Sequence, residues 1–411
     1  MLVAAALALA AAAYADEAVA APWCGTTTTE NRPPAITGRS IRVVYAYPAD
    51  APDRSAERAS QISADVDGIA GWWRGQDPDR EPRFDRFGFA CGLQVDLFVL
   101  RLSQDSATLR VDRFNRIADA VIAASGRSGY EKQLVYYDGP VDDANVCGQG
   151  GGSAEGQGVA IVYLAACSSV PTSVVAAHEL LHALGALPTS GPPNSCPNDK
   201  GHVCDSKSDL LSPSTSGTPL DGMVLDVGRN DYYAHSGSWL DLQDSRWLWL
   251  VTRQVALTMS IAGKGTVESD VPGVDCASGC VTQWDAGSSI TLEPLPGEGQ
   301  RFVRWSGACS GTGDCNVTLS SAQAVTALFA PEAFRLVISL SGKGSVVGAG
   351  AACRVARCNR TATSYTPLRL RASSQPGWRF AGWSGGCRGV SPTCTLPMAK
   401  AAAVRARFVK R

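Results

Sequence analysis

The chain has 411 residues, enough for roughly two to four domains and at least one sizeable hydrophobic core. Its formal net charge is −1, which excludes a chain that is strongly basic or strongly acidic throughout. No apolar run after the N-terminus is long enough to cross a bilayer, which argues against a membrane span in the mature chain.

The N-terminus is typical of a secretory signal. Residues 2–13 are an alanine-rich apolar run, and small residues in a cleavage-site pattern follow it. The chain also has 14 cysteines, an even number that fits disulfide bonding after export. We therefore expect a signal peptide over residues 1–20 and a secreted, disulfide-bonded, monomeric mature protein.

Residues 21–252 form the first predicted domain, in which strand-like and helix-like patterns alternate. Apolar or alternating runs predict strands at 41–47, 93–100, 133–137 and 159–164. Helical patterns lie at 53–73, at 107–125 and from an N-cap at Thr172 or Ser173 through HELLHALG (178–185). The glycine-rich segment 147–158 is a loop by composition. This alternation predicts an α/β (α+β) layer.

HELLHALG places two histidines one helical turn apart. Residues i and i+4 share a face of a helix, so His178 and His182 can point at one metal ion. Glu179 is close enough to polarise a metal-bound water without being a ligand. Gly185 permits the sharp exit that a third ligand in the following segment requires. With only 4 histidines in the chain, the pattern favours a catalytic zinc (Zn2+) site over a pair of core histidines.

The motif HExxHxxG resembles that of the metzincin zinc metallopeptidases, in which a third histidine follows three residues after the glycine. This chain has Pro188 at that position, and its next histidine is His202, between Cys196 and Cys204. Lengthening this loop from 3 to 17 residues costs only about 1.5 kcal/mol, so His202 is the predicted third ligand. Four other side chains remain open for that role: Asp199, Asp205, Asp209 and His235.

The resemblance also implies supporting residues. Metzincins place a methionine turn beneath the metal, and Leu211 in DLLSP (209–213) stands in the methionine's place, with Met223 as the alternative. Tyr232 and Tyr233 could donate to an oxyanion, but ordinary core packing is the favoured interpretation of both residues. The resemblance thus implies a zincin-like fold with an active-site helix.

The expected activity is that of a zinc metalloendopeptidase acting on a protein or peptide substrate. Glu179 would be the general base for a metal-activated water. Two alternatives remain open. One is a non-catalytic surface-binding or adhesive protein with a structural zinc site, which would have no use for Glu179. The other is a zinc amidase that uses the same residues on cell-wall amides.

The C-terminal third repeats itself at an offset of 77 to 79 residues. Residues 255–330 and 334–409 share GKG, WSG and paired cysteines, and their short alternating runs predict two small all-β modules. The expected disulfides are local: Cys276 with Cys280, Cys309 with Cys315, Cys353 with Cys358, and Cys387 with Cys394. Both modules resemble bacterial InlB-type B-repeats, which implies attachment to the envelope or cell surface.

Charge separates these two modules. Residues 334–411 contain 14 Lys and Arg and no Asp or Glu, whereas residues 255–330 contain 3 basic and 7 acidic residues. A shared fold does not require this difference, and a genomic preference for arginine does not explain the missing carboxylates. We therefore predict that residues 334–411 bind an anionic cell-envelope polymer, with nucleic acid or the chain's own acidic first domain as alternative partners.

Overall fold

The structure, a computed structural model, describes residues 23–32, 35–125, 132–187, 192–214, 217–363 and 367–411. The expected signal peptide lies outside these residues. The described chain divides into two compact units, of which the second comprises Ile36–Ser40 and Trp249–Arg411, and the first comprises the rest. None of the described helices is both long and apolar enough to cross a membrane.

A five-stranded, mainly parallel sheet is the centre of the first unit. The strands of the described chain as far as residue 250 are β1 (Ile41–Tyr47), β2 (Arg80–Pro82), β3 (Arg86–Phe89), β4 (Gly92–Val95), β5 (Leu97–Arg101), β6 (Lys132–Tyr137), β7 (Gly148–Gly152), β8 (Gly158–Tyr163), β9 (Ser195–Cys196), β10 (Asp199–Val203) and β11 (Leu248–Leu250). The sheet order is β5-β1-β6-β8-β7, and only β7 runs antiparallel to its neighbour. Because β1, β6 and β8 are buried on both faces, their sequences are nearly continuous apolar runs.

Helices cover both faces of this sheet. They are α1 (Ser55–Gln76), α2 (Ser106–Leu109), α3 (Arg113–Ser125) and α4 (Thr172–Leu184), and 3-10 turns occur at Leu220–Gly222 and Leu242–Asp244. On one face, Leu134 and Tyr136 of β6 share a core with α1 and α4. On the other face, Val135 and Tyr137 of β6 share a core with α3. The predicted α/β layer is thus confirmed, as three layers.

Two predicted elements of the first unit are interrupted. The helix expected over 107–125 breaks between α2 and α3, where Asp112 has a φ of 56°, a left-handed conformation that a helix interior does not accommodate. The strand expected over 93–100 divides at Asp96, whose carboxylate lies 2.9 Å from the guanidinium of Arg32. Both breaks are local and leave the layer order unchanged.

The second unit contains two β modules, each built from two four-stranded sheets. The strands of the first module are β12 (Gln254–Ala262), β13 (Gly265–Ser269), β14 (Asp275–Cys276), β15 (Cys280–Asp285), β16 (Ser289–Pro296), β17 (Gln300–Gly307), β18 (Cys315–Thr318) and β19 (Gln323–Pro331). Those of the second are β20 (Ala333–Ser341), β21 (Gly344–Gly348), β22 (Ala351–Cys353), β23 (Arg357–Thr363), β24 (Leu368–Ser374), β25 (Trp378–Gly385), β26 (Thr393–Leu396) and β27 (Ala402–Lys410).

The two modules have the same topology. Sheets β15-β12-β19-β17 and β14-β13-β16-β18 correspond strand by strand to β23-β20-β27-β25 and β22-β21-β24-β26. Trp305 and Trp383, from the two WSG segments, are buried in the equivalent cores. The internal repeat and the all-β character of both modules are therefore confirmed.

Seven disulfides link all 14 cysteines, so the folded chain belongs to an oxidising compartment. The four expected local pairs in the β modules are confirmed. The sequence left the pairing of the six cysteines in the first unit unassigned, and the structure pairs Cys24 with Cys91, Cys147 with Cys167, and Cys196 with Cys204.

Candidate metal centre

Helix α4 carries the HELLH residues and is held at both ends. Pro171 occupies the N-cap position, so the predicted N-cap at Thr172 or Ser173 is wrong. The Thr172 hydroxyl instead donates to the buried carboxylate of Asp65 in α1, at 2.6 Å. At the other end Gly185 has a φ of 96°, and its N–H donates to carbonyls of the last turn. This cap supports the predicted exit at Gly185.

Three imidazoles converge beside α4. The Nε2 atom of His178 lies 3.2 Å from that of His202 and 3.3 Å from that of His182. The ligand atoms of all three residues lie within 4.8 Å of one another. Two nitrogens held by one tetrahedral zinc ion with bonds of about 2.0–2.1 Å would be about 3.3 Å apart. The spacing therefore fits three ligands of a single ion.

The protonation states of these histidines suit a metal. The Nδ1 atom of His178 lies 2.6 Å from the Leu210 carbonyl oxygen, to which it can only donate, so its Nε2 lone pair is free. Burial lowers the pKa of His178 to about 4 and that of His182 to about 3, which keeps both imidazoles neutral at pH 7. His202 Nδ1 lies 2.8 Å from an Asp199 carboxylate oxygen, at an angle outside hydrogen-bond geometry.

Glu179 is buried beside the imidazoles, and the edge strand β7 packs directly against it. Burial raises the pKa of Glu179 to about 8. A Cβ added to Gly150 would lie 2.4 Å from the Glu179 carbonyl oxygen and 2.8 Å from His182 Cβ, and one added to Gly148 would lie 2.7 Å from Glu179 Cγ. Only glycine allows this approach. The prediction that 147–158 is a loop is therefore wrong for Gly148–Gly152.

The His178, Glu179 and His202 side chains line a cleft of about 840 Å³ in the first unit. Its walls are loops that the Cys147–Cys167 disulfide joins, together with residues 212–214 and 217. Apart from the histidines and Glu179, the lining side chains carry no charge. The cleft thus offers a neutral, roomy approach to the candidate centre.

The segment DLLSP reaches the centre through its backbone. The Leu210 carbonyl accepts from His178, while Leu211, expected in the methionine's place, is fully buried in the core that α4 shares. Asp209 holds this turn, because its carboxylate accepts from the Leu211 and Val227 N–H groups. Met223 lies in the same core. The sequence did not reveal the contact of Leu210.

Tyr232 and Tyr233 are not brought to the cleft. Both are fully buried, and their hydroxyls donate to Asp209 and Asp77, at 2.9 and 2.7 Å. These hydroxyls serve buried carboxylates of the core, which agrees with the favoured interpretation of both tyrosines as packed core residues.

The rival third ligands lie apart from the three imidazoles. His235 stacks on Trp239 at 4.8 Å, and Asp209 serves backbone donors. Among the described residues, neither these two nor Asp205 joins the group of ligating atoms, and Asp199 contacts it only through His202. Pro188, at the family's usual third position, lies outside the described residues.

Comparison with known proteins identifies the C-terminal modules. Residues 256–333 and 343–411 match the family model of the divergent InlB B-repeat domain. This match confirms the B-repeat resemblance for that part of the chain. No match to a curated protein was found.

The solved structures that align with this chain include three streptococcal pilins. The major pilin T-13 of Streptococcus pyogenes aligns at 9% identity over 39% of this chain and 97% of its own, with a TM-score of 0.19. A minor pilin of Streptococcus agalactiae aligns at 7% identity over 38% and 97%, with a TM-score of 0.16. The T3.2 major pilin of Streptococcus pyogenes aligns at 8% identity over 38% and 98%, with a TM-score of 0.19. TM-scores this low do not establish a shared fold.

Proposed function

We propose that the first unit is a secreted zinc-dependent peptidase of metzincin-like type. The observation that carries the proposal is the convergence of the His178, His182 and His202 Nε2 atoms next to Glu179. A closed structural site would need a fourth protein ligand, and the described residues offer only these three. A catalytic site instead keeps one position open.

The donor set fits zinc well. Neutral imidazoles are good zinc ligands, and the bond from His178 to Leu210 orients the ring as ligating histidines require. A zinc ion bound here would polarise a substrate carbonyl and activate water for attack on it. Glu179, adjacent to His178, would accept the proton from that water and deliver it to the departing amine.

A peptide is the amide substrate that the surroundings favour. β7 is the last strand of its sheet, so in the described chain its outer edge has no strand partner. Its glycines lie against Glu179 and His182. An extended peptide can add to such an edge by main-chain hydrogen bonds, which would bring its carbonyl groups alongside the centre. A cell-wall amide without an extended peptide would not use this edge.

The test compares the wild-type protein with Glu179→Gln and His235→Gln, each loaded with zinc. We expect Glu179→Gln to retain zinc but to lose about 10²- to 10⁴-fold in hydrolysis of a peptide library, the usual contribution of a general base. His235→Gln, which changes a histidine outside the centre, should retain both. Full hydrolysis by zinc-loaded Glu179→Gln, or preference for short cell-wall amides over peptides, would contradict the proposal.

A second candidate function is a non-catalytic surface-binding or adhesive protein. The B-repeat match at residues 256–333 and 343–411 favours it, because it supports a surface role without requiring an enzyme. In that case chelation of zinc should unfold the first unit, and no peptide or cell-wall amide should be hydrolysed at any zinc concentration. Metal analysis, thermal melting and a substrate panel on the same preparation distinguish the two functions.

A further inference from the structure

The arginines of the second module are concentrated on one sheet surface. In the sheet β23-β20-β27-β25, the residues that face inward, such as Leu336, Val404 and Phe408, are buried in the module core. Successive side chains of a strand point to opposite faces, so the alternating residues form the outer face. Five arginines occupy that face, all of them exposed, and we call this set the arginine face: Arg335, Arg357, Arg379, Arg405 and Arg407.

The pairing register brings these arginines close together. Ser339 of the central strand pairs with Arg357 on one side and with Arg405 on the other. The backbones of the two arginines are therefore separated by two strand spacings, about 10 Å. Arg405 and Arg407 follow each other at about 7 Å along β27. The arginine face thus presents several positive charges whose nearest spacings are about 7 to 10 Å.

The first module shows that the fold does not need these charges. At four equivalent positions of its matching sheet it has neutral residues: Ala256 for Arg335, Gly279 for Arg357, Thr326 for Arg405 and Leu328 for Arg407. Only the fifth position carries the same residue in both modules, since Arg301 is the equivalent of Arg379. Five like charges on one face repel one another and therefore destabilise the module. Packing does not explain why they are present.

No acidic partner within the module neutralises this face. Residues 334–411 contain no Asp or Glu, and in the described part of the chain none of the five arginines forms an ion pair. Arg335 donates to the Asn359 amide oxygen at 3.2 Å, and the remaining positions between the arginines are small or neutral residues such as Ser339. Planar guanidinium groups on such a surface suit phosphate or carboxylate groups, which they can bind through two hydrogen bonds.

We propose that the arginine face binds a linear anionic cell-envelope polymer, one that repeats a phosphate or carboxylate group along its chain. Several charges separated by about 7 to 10 Å favour a ligand that repeats its anionic group over a single anion. The described outer face carries no aromatic side chain on which a base would stack, which argues against single-stranded nucleic acid. This interaction is independent of the zinc centre and of the hydrolysis proposed for the first unit.

The experiment uses the full chain and two charge-matched triple variants. One removes the arginine face, with Arg357→Gln, Arg405→Gln and Arg407→Gln. The other removes three exposed basic residues outside the sheet, with Arg354→Gln, Arg388→Gln and Lys400→Gln. Circular dichroism and thermal melting verify that both remain folded. Binding to immobilised poly(glycerol phosphate), alginate and duplex DNA is measured over a series of salt concentrations.

We expect the face variant to lose at least about tenfold in affinity for poly(glycerol phosphate) or alginate at 50 mM salt. The dependence of log affinity on log salt should weaken by about 0.7 to 0.9 for each lost contact, as counterion release requires. The charge-matched control should lose less than about threefold. Which of the two polymers binds more tightly identifies phosphate or carboxylate as the partner's anionic group.

Four outcomes would overturn the proposal. Equal losses of affinity in both variants would mean that binding depends only on the net charge of the module. If the wild type binds neither polymer, an anionic polymer is not the partner of this face. Tighter binding to duplex DNA than to both polymers would assign the face to nucleic acid. A wild-type dimer that dissociates in the face variant would assign it to a second copy, whose acidic residues Glu268, Asp275 and Glu293 lie in register on the first module.

Discussion

His178 donates its Nδ1–H to the carbonyl oxygen of Leu210 at 2.6 Å, which connects the candidate metal ligand to a turn 32 residues later in the chain. The turn is rigid because Asp209, one residue earlier, accepts from two backbone N–H groups and from the Tyr232 hydroxyl. The orientation of the imidazole is therefore set by a segment that supplies no ligand itself.

Zinc is expected to stabilise the folded protein, and this stabilisation should require His202 as a ligand. A ligand that binds only the folded state stabilises it by about 4 kcal/mol at 1,000 times its dissociation constant. Thermal melting of chelator-treated protein should therefore shift upward when zinc is added, and His202→Ala should reduce that shift strongly. His235→Ala, outside the three imidazoles, should retain it. An equal zinc-induced shift in the His202→Ala protein would show that another residue is the third ligand.

Gly150 and Gly151 provide a matched pair for testing the contact of β7 with α4. In Gly150→Ala the new methyl would lie 2.4 Å from the Glu179 carbonyl oxygen, so strand and helix must separate. In Gly151→Ala the nearest atom is Phe114 Cζ at 3.5 Å, an ordinary contact. We expect Gly150→Ala to lower zinc affinity and hydrolysis at least about tenfold, the usual effect of disturbing groups around a metal site. Gly151→Ala should change both by less than twofold, and similar behaviour of the two variants would contradict the contact.

Asp209 should make the stability of the metal-free protein depend on pH. Burial raises the pKa of its carboxyl from 3.8 to about 6, so the folded state binds more protons than the unfolded state between these values. The free energy of unfolding should therefore fall as pH rises from about 4 to about 6, by up to about 3 kcal/mol from this group. Urea unfolding of wild type and Asp209→Asn at several pH values isolates the effect, since other carboxyls cancel in the difference. A difference that stays constant over this range would refute the prediction.

Thr172 should stabilise the first unit through Asp65, and Ser173 should not. The Thr172 hydroxyl donates to a buried carboxylate at 2.6 Å, whereas Ser173 supplies no cap to α4. Loss of a hydrogen bond to a charged group costs about 1.5–3 kcal/mol, and we expect Thr172→Val to lower the free energy of unfolding by that amount. Ser173→Ala should change it by less than about 0.5 kcal/mol, as most surface substitutions do. If chemical denaturation shows a larger loss of unfolding free energy for Ser173→Ala than for Thr172→Val, Ser173 is the helix cap after all.

Strands and repeated modules could be predicted, because each leaves a short, local pattern in the sequence. Each of β1, β6 and β8 is a nearly continuous apolar run, and the duplicated WSG and cysteine spacings gave both β modules with their local disulfides. The alternation of Gly148, Gly150 and Gly152 also has the period of a strand. The high glycine content nevertheless favoured a loop, because nothing in the segment itself indicates that α4 packs closely against it.

Contacts between segments that are distant in the chain could not be predicted from sequence patterns. Nothing near Leu210 indicates that its carbonyl oxygen meets His178, because any residue supplies the same backbone group. Nothing in the sequence around Tyr232 and Tyr233 shows that their hydroxyls donate to Asp209 and Asp77. His202 could be ranked above its rivals by chemistry, yet only the folded hairpin brings its Nε2 within 3.2 Å of His178.

The hairpin that carries His202 also bears on when and where the site can assemble. His178 and His182 lie on α4, which contains no cysteine, whereas His202 lies on β10, which pairs with β9 and is closed by the Cys196–Cys204 disulfide. Cytosolic thiols remain reduced, so before export the chain has no covalent closure of this hairpin. Two histidines would then hold a metal weakly, and oxidation outside would complete the set. For the proposed peptidase, secretion itself would thus serve as the maturation step, and the producing cell would not contain the active form in its cytosol.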